Sequence, residues 1–240
     1  HRVPVSRSRK TAGFDEWSSG SQVVDPTTGQ LATMYHGTGG EDFNAFETSG
    51  LGAHFTPSAS TAEFFTKSYG GDTYPGGRVY PVNLAIKNSI RLPDLGDWDP
   101  GQVLATLFDN GPYGLFDSHE DFDALDRKIN RIQMNHGENA ANAAIRKFLL
   151  SKGYDGIQYL NRYESTGAAA TAESLAAEVP DKIRAMGLDP DDPDSIREWL
   201  MDPETTDDDA RELLGDRAAD AWIAFHPGQT FIASTRWPIG

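Results

Sequence analysis

Two histidines and one glutamate stand where short apolar runs meet polar turns. His36 lies in MYHGTG at 34–39, His54 in GLGAHFT at 50–56, and Glu164 closes DGIQYLNRYE beside Asn161, Arg162 and Tyr163. Glycines beside a histidine let backbone approach a ligand closely, and imidazole can donate a hydrogen bond to a ribose hydroxyl or hold a ring system in place. The recurrence of glycine with histidine suggests two walls of one pocket. A carboxylate at a strand end can stabilise developing positive charge or orient a hydroxyl. Each residue also has an ordinary reading: His36 as a turn cap and Glu164 as solvated surface charge. In an extended GLGAHFT, His54 and Phe55 face opposite sides, with Phe55 the core residue.

Several elements must hold these groups. QVVDPTTGQLATMYHGT reads as a strand, a turn at PTTG and a second strand that ends at His36. TAEFFTKSY at 61–69 has a helical face of Ala62, Phe65 and Tyr69, with Ser58 and Ser60 as caps. RVYPVNLAIK at 78–87 reads as a strand whose Pro81 favours an edge or a bulge. DFDALDRKINRIQ and NAANAAIRKFLLSKG read as helices, the second closed by Gly153. YDGIQYL at 154–160 and AWIAFHPGQTFIAS at 221–234 read as strands. This order describes an α+β domain without the regular alternation of a doubly wound sheet.

Composition narrows the chemistry. The 240 residues suffice for one large domain. The absence of cysteine excludes disulfides, thiolate catalysis and cysteine metal sites. The 21 basic and 36 acidic residues give a formal charge of -15, which disfavours broad contact with a phosphate backbone. Residues 171–218 hold fifteen acidic against five basic residues, a local -10 of the total -15, and read as an acidic helical insertion. Residues 1–19 read as a basic extension, and His1 suggests a fragment of something longer. No run of 18 apolar residues and no signal peptide is evident, so a soluble chain without a membrane span is expected. His119, His136 and His226 lack ligand-like spacing, and no metal is expected.

Taken in order, VVDPTTGQLATMYHGT, GLGAHFTPSASTAEFF, RVYPVNLAIKNSIRL, KGYDGIQYLNRYE and AWIAFHPGQT resemble the ADP-ribosyltransferase superfamily, in particular transferase domains of bacterial effectors, phage structural proteins and mobile-element polyproteins. The resemblance runs from about residue 22 to 234. It implies one domain over 1–240, built of split antiparallel sheets around an NAD cleft, with the insertion at 171–218. His36 then bonds the adenosine ribose and nicotinamide side of NAD, flanked by Tyr35. Gly37 supplies backbone contacts to the nicotinamide amide, with Thr38 close by. Gly52, His54 and Phe55 occupy the family's glycine, aromatic motif, where His54 replaces a tyrosine that stacks on nicotinamide. Tyr69 or another aromatic would complete that clamp.

The glutamate that one branch of the family carries before its final motif strand is absent here, where Asp220 precedes Ala221. Glu164 is the first candidate for the acid and Asp220 the second. Arg162 stands where arginine-directed members carry Gln or Glu, and so could meet a diphosphate. Gln229 resembles a residue that supports the fold. The implied activity moves ADP-ribose from NAD, a substrate, to an unidentified protein or nucleic-acid acceptor with release of nicotinamide, as in an effector or toxin delivered or secreted within a larger protein. The insertion could bind an immunity or other partner protein. The alternatives are an NAD glycohydrolase and a catalytically inactive NAD- or partner-binding module of the same fold.

Overall fold

The computed structural model describes residues 8–39, 46, 50–67, 72–109, 111–112, 114–162, 170–202 and 204–232. They form an α+β fold of two open sheets and several helices. The first sheet has the order β1 (Met34–Thr38), β3 (Arg78–Leu84), β7 (Thr230–Ile232), all antiparallel. The second has the order β2 (Ala53–Phe55), β6 (Asp220–Ala224), β5 (Gly156–Leu160), β4 (Ser89–Arg91). The β4–β5 pair is parallel, so this sheet is mixed where antiparallel pairing was expected. The cause is the connection: α3 (Pro100–Asp109), α4 (His119–His136) and α5 (Glu138–Ser151) carry the chain across the sheet, and β5 enters alongside β4 in the same sense.

Alternation along β6 assigns its two faces. Ala221 and Ile223 pack under α3, α4 and α5 with Leu104, Ile129, Ile145 and Ile157. Trp222 and Ala224 face the other way, into a core between the sheets with Met34, Phe55, Val82 and Leu84. A strand buried on both faces must be apolar throughout, which is why WIAF carries no polar residue. The segment read as one strand at 221–234 is two strands in different sheets. Between them His226 caps the turn Pro227–Gln229, while Gln229 accepts from the Phe225 and His226 amides and donates to the Asp155 carbonyl.

Pro81 sits within β3, where β1 pairs alongside it, and among the described residues β7 pairs only with Val82 to Leu84. It lies opposite Tyr35, whose N–H and C=O both point away to Thr56. The missing proline N–H therefore removes no ladder bond to β1. β1 also runs on through Gly37 and Thr38, so His36 is mid-strand and does not end it. The segment upstream forms only the bridge Val24–Leu31, around a turn in which Asp25 accepts from the Thr27 and Thr28 amides. The basic extension contains α1 (Ser8–Ser18), whose Phe14 and Trp17 rings pack on Phe231. α2 (Ala59–Phe64) starts at Ser58, which caps the Thr61 amide, and ends short of Tyr69. Gly153, at φ +91°, terminates the turn after α5.

Between β5 and β6 the chain forms α6 (Ala170–Glu178), α7 (Pro180–Ala185), α8 (Pro193–Met201) and α9 (Asp207–Leu214). Leu175, Ile183, Ile196, Leu200 and Leu213 make a separate core there, to which β5 contributes Leu160. Asp207, in the first turn of α9, accepts from Arg91 at 2.6 Å and from Arg162 at 2.8 Å. Arg162 is only 3% exposed, and its guanidinium also donates to the Leu200 carbonyl. Burial by itself would raise the Asp207 carboxyl, but the hydrogen bonds and charges of Arg162 and Arg91 outweigh it and hold the group below 3.8.

Asp207→Ala leaves the buried Arg162 guanidinium without a carboxylate among the described residues, and should cost about 3 kcal/mol in urea unfolding. Because the folded carboxyl releases its proton at lower pH than the unfolded one, its contribution is complete above about pH 4 and fades as pH falls through the folded value. Asp207→Asn should remove that acid dependence.

Candidate functional site

Among the described residues one backbone bridge joins β1 to the end of β2. Tyr35 N–H donates to the Thr56 carbonyl at 2.7 Å, and Thr56 N–H donates back to the Tyr35 carbonyl at 3.0 Å. Beside this seam opens a cavity of about 350 Å³, within the range of small-molecule sites. Tyr35, His36 and Gly37 line it from β1, Gly52 to Thr56 from around β2, and Ala62 and Phe65 from α2. Asp94, Gly96 and Trp98, between β4 and α3, and Tyr159 and Asn161, at the end of β5, complete the lining.

Glycine is required at Gly37 because α2 packs directly on it. A Cβ there would lie 1.7 Å from the Ala62 carbonyl oxygen, so any side chain would push the helix off the strand. At Gly52 a Cβ would come within 2.5 Å of the Ala224 carbonyl oxygen, which holds the approach of β2 to β6 to glycine.

His36 Nδ1 is 2.8 Å from the His54 carbonyl oxygen. A carbonyl only accepts, so Nδ1 carries the proton and neutral His36 presents Nε2 as an acceptor. The His36 ring stands edge-on to Phe46 and packs near Phe55. Burial lowers its pKa from 6.5, with the His54 carbonyl bond opposing.

His54 and Phe55 do face opposite sides. Phe55 is fully buried in the core between the sheets, while the His54 ring turns toward Trp98 and Tyr159. Its Nδ1 makes a long contact of 3.4 Å with the Tyr159 hydroxyl. Desolvation, helped by the nearby His36, lowers the His54 pKa to about 4. Both imidazoles are neutral at pH 7.

Asp94 is the one carboxylate in the lining among the described residues. Its oxygens accept from the Gly96 amide at 3.0 Å and the Arg162 amide at 2.8 Å, tying the β4–α3 connection to the end of β5. Arg162 itself does not line the cavity. Its buried side chain runs instead into the helical segment, to Asp207 and the Leu200 carbonyl. Asp220 also lies off the cavity, held by Arg91, by Arg211 at 2.6 Å and by Gln158 at 2.8 Å. Thr38 is on β1 but outside the lining. Glu164, Tyr163 and Tyr69 fall outside the described residues.

Sequence reading missed Asp94, Trp98 and Tyr159. LPDLGDW reads as an ordinary polar turn, and Tyr159 shares a face with Ile157, which marks it as core; neither carries a local sign of a cavity. Among the described residues no cluster could hold a metal ion, and no helix is long and apolar enough to cross a membrane.

The depressed His54 pKa has a thermodynamic consequence. Below pH 6.5 the unfolded chain takes up a proton that the folded site refuses until about pH 4, so stability declines across that window. Unfolding free energy should fall by roughly 2 kcal/mol from pH 7 to pH 5 on account of this residue, and His54→Gln should flatten the profile. Gly37→Ala should lower stability by about 1–3 kcal/mol and weaken ligand binding, measured by thermal melts and calorimetry. Compared with known proteins, the chain matches no family model, no curated protein and no solved structure.

Proposed function

We propose that the chain is an NAD-dependent ADP-ribosyltransferase whose cavity takes the nicotinamide end of NAD. The observation that carries this reading is the placement of His36 and His54 beside the seam of two open sheets, in one cavity with aromatic rings. Neutral His36 accepts a hydrogen bond from a ribose hydroxyl, the Gly37 backbone lines the same wall, and the His54 ring packs against the nicotinamide. The neighbouring Tyr35 and Phe55 shape the wall.

Glu164, a few residues beyond the cavity-lining Asn161, is the proposed acid. Its carboxylate would accept from the ribose 2′-hydroxyl and stabilise the oxocarbenium-like state. The glycosidic bond breaks with its electron pair going to nicotinamide, which leaves neutral. A nucleophile of the protein or nucleic-acid acceptor forms the new bond at the anomeric carbon and loses its proton; water in that role gives the glycohydrolase outcome. The three ion-paired and hydrogen-bonded partners of Asp220 favour a structural role for it. The acidic helical segment is a candidate surface for a partner protein, and the proposed setting is an effector or toxin.

One observation favours the second reading, an inactive NAD- or partner-binding module: Asp94, the carboxylate in the described lining, has both oxygens engaged by backbone amides. Nicotinamide release from NAD, with and without cell extract, separates the two. Glu164→Gln should lower release by at least about 100-fold, while Asp220→Asn should stay within a few-fold if folded. Binding of NAD without release in any extract would select the binding module, and absence of both overturns the proposal.

A further inference from the structure

The helical segment between β5 and β6 reaches the cavity through one residue. Asn161, directly after β5, lines the cavity, and the next residue, Arg162, sends its side chain into the helices. The Arg162 amide donates to one Asp94 oxygen at 2.8 Å, and the other Asp94 oxygen accepts from the Gly96 amide at 3.0 Å. Asp94 and Gly96 line the same cavity from the β4–α3 connection. One carboxylate thereby ties together two chain segments of the lining that are distant in sequence.

The far end of Arg162 has few partners. Its buried guanidinium donates to Asp207 at 2.8 Å and to the Leu200 carbonyl near the end of α8 at 3.2 Å, while its Nε has no hydrogen-bond partner among the described residues. A buried cation held by one carboxylate and one carbonyl loses most of its compensation when the carboxylate is removed. A guanidinium that then leaves this position pulls on its own main chain, whose amide is the one that Asp94 holds. Asp207 is in turn fastened to the sheet, because Arg91 on β4 donates to its second oxygen at 2.6 and 2.9 Å.

We propose that Arg162 is a positioning residue for the cavity: Asp207, acting through it, keeps Asp94, Gly96 and Asn161 in the arrangement that receives ligand. The helical segment is then a working part of the binding site, and a partner that drew α9 off the sheet would weaken binding there. The choice of NAD as the ligand rests on the reading of the cavity given above; the linkage from Asp207 to the lining does not.

The test follows amide hydrogen exchange and NAD affinity in the whole chain. In Asp207→Asn the Gly96 and Arg162 amides, both held by Asp94, should exchange about tenfold faster, and calorimetry should show NAD bound about tenfold more weakly. Ile183→Val is the control: it thins the core of the helical segment but keeps Arg162, Asp207 and Arg91, so it should lower stability and leave both readouts unchanged. Arg91→Gln, at a side chain 40% exposed, should give a smaller change of the same sign, and it decides the matter if Asp207→Asn does not fold. By reciprocity, NAD should slow exchange in α9 of the intact protein. Unchanged Gly96 exchange in the folded variants overturns the inference, and so does an equal effect of Ile183→Val, which would mark general loosening. NAD bound equally well by intact protein and folded Asp207→Asn also overturns it, while keeping the NAD reading. Faster Gly96 exchange in a chain that binds no NAD would leave the linkage standing and remove that reading instead.

Discussion

The architecture depends on one reciprocal pair of hydrogen bonds, Tyr35 with Thr56. On either side of it the strands belong to different sheets, and the apolar core of Met34, Phe55, Val82 and Trp222 fills the angle between them. A residue that spends its N–H and C=O on the neighbouring sheet has none for the strand on its other side. That single fact lets β1 serve two sheets at once. His36 and Gly37 follow directly in the chain, so the geometry of the seam sets where the cavity's first wall stands.

The second wall is governed by desolvation. Packing His54 against Trp98 and Tyr159 removes water from its ring, and the absence of a carboxylate partner for it among the contacts described leaves burial unopposed. Asp207 shows the contrary balance in the same molecule. It too is desolvated, yet two guanidinium groups reverse the effect and keep it ionised. The molecule thus contains a neutral site and a charged one joined by a single residue: the amide of Arg162 is bound by Asp94 at the cavity, and its guanidinium by Asp207 in the helical segment.

Legibility in the sequence followed the range of the forces involved. The α+β class, the approximate positions of α4, α5, β5 and β6, and the Ser58 and Gly153 caps rest on local periodicity and turn chemistry, and these could be read. The opposed faces of His54 and Phe55 follow from the geometry of an extended chain. The parallel β4–β5 pair could not be read, because it depends on where three intervening helices return the chain. Trp98 and Asp94 lie far in sequence from either histidine and carry no local mark of the cavity they line. The acidic character of 171–218 was plain, but the embrace of Asp207 by Arg91 and Arg162 pairs residues from distant parts of the chain.

Leu160 and Asp220 face one another as partners in adjacent antiparallel strands. Everything between them, the helices α6 to α9 with their own core, is therefore topologically a single hairpin loop grown large. Its two ends leave the sheet side by side, so its length can change without altering any strand register. What fixes the appendage to the sheet is the grip of Arg91 and Arg162 on Asp207 at the root of the loop.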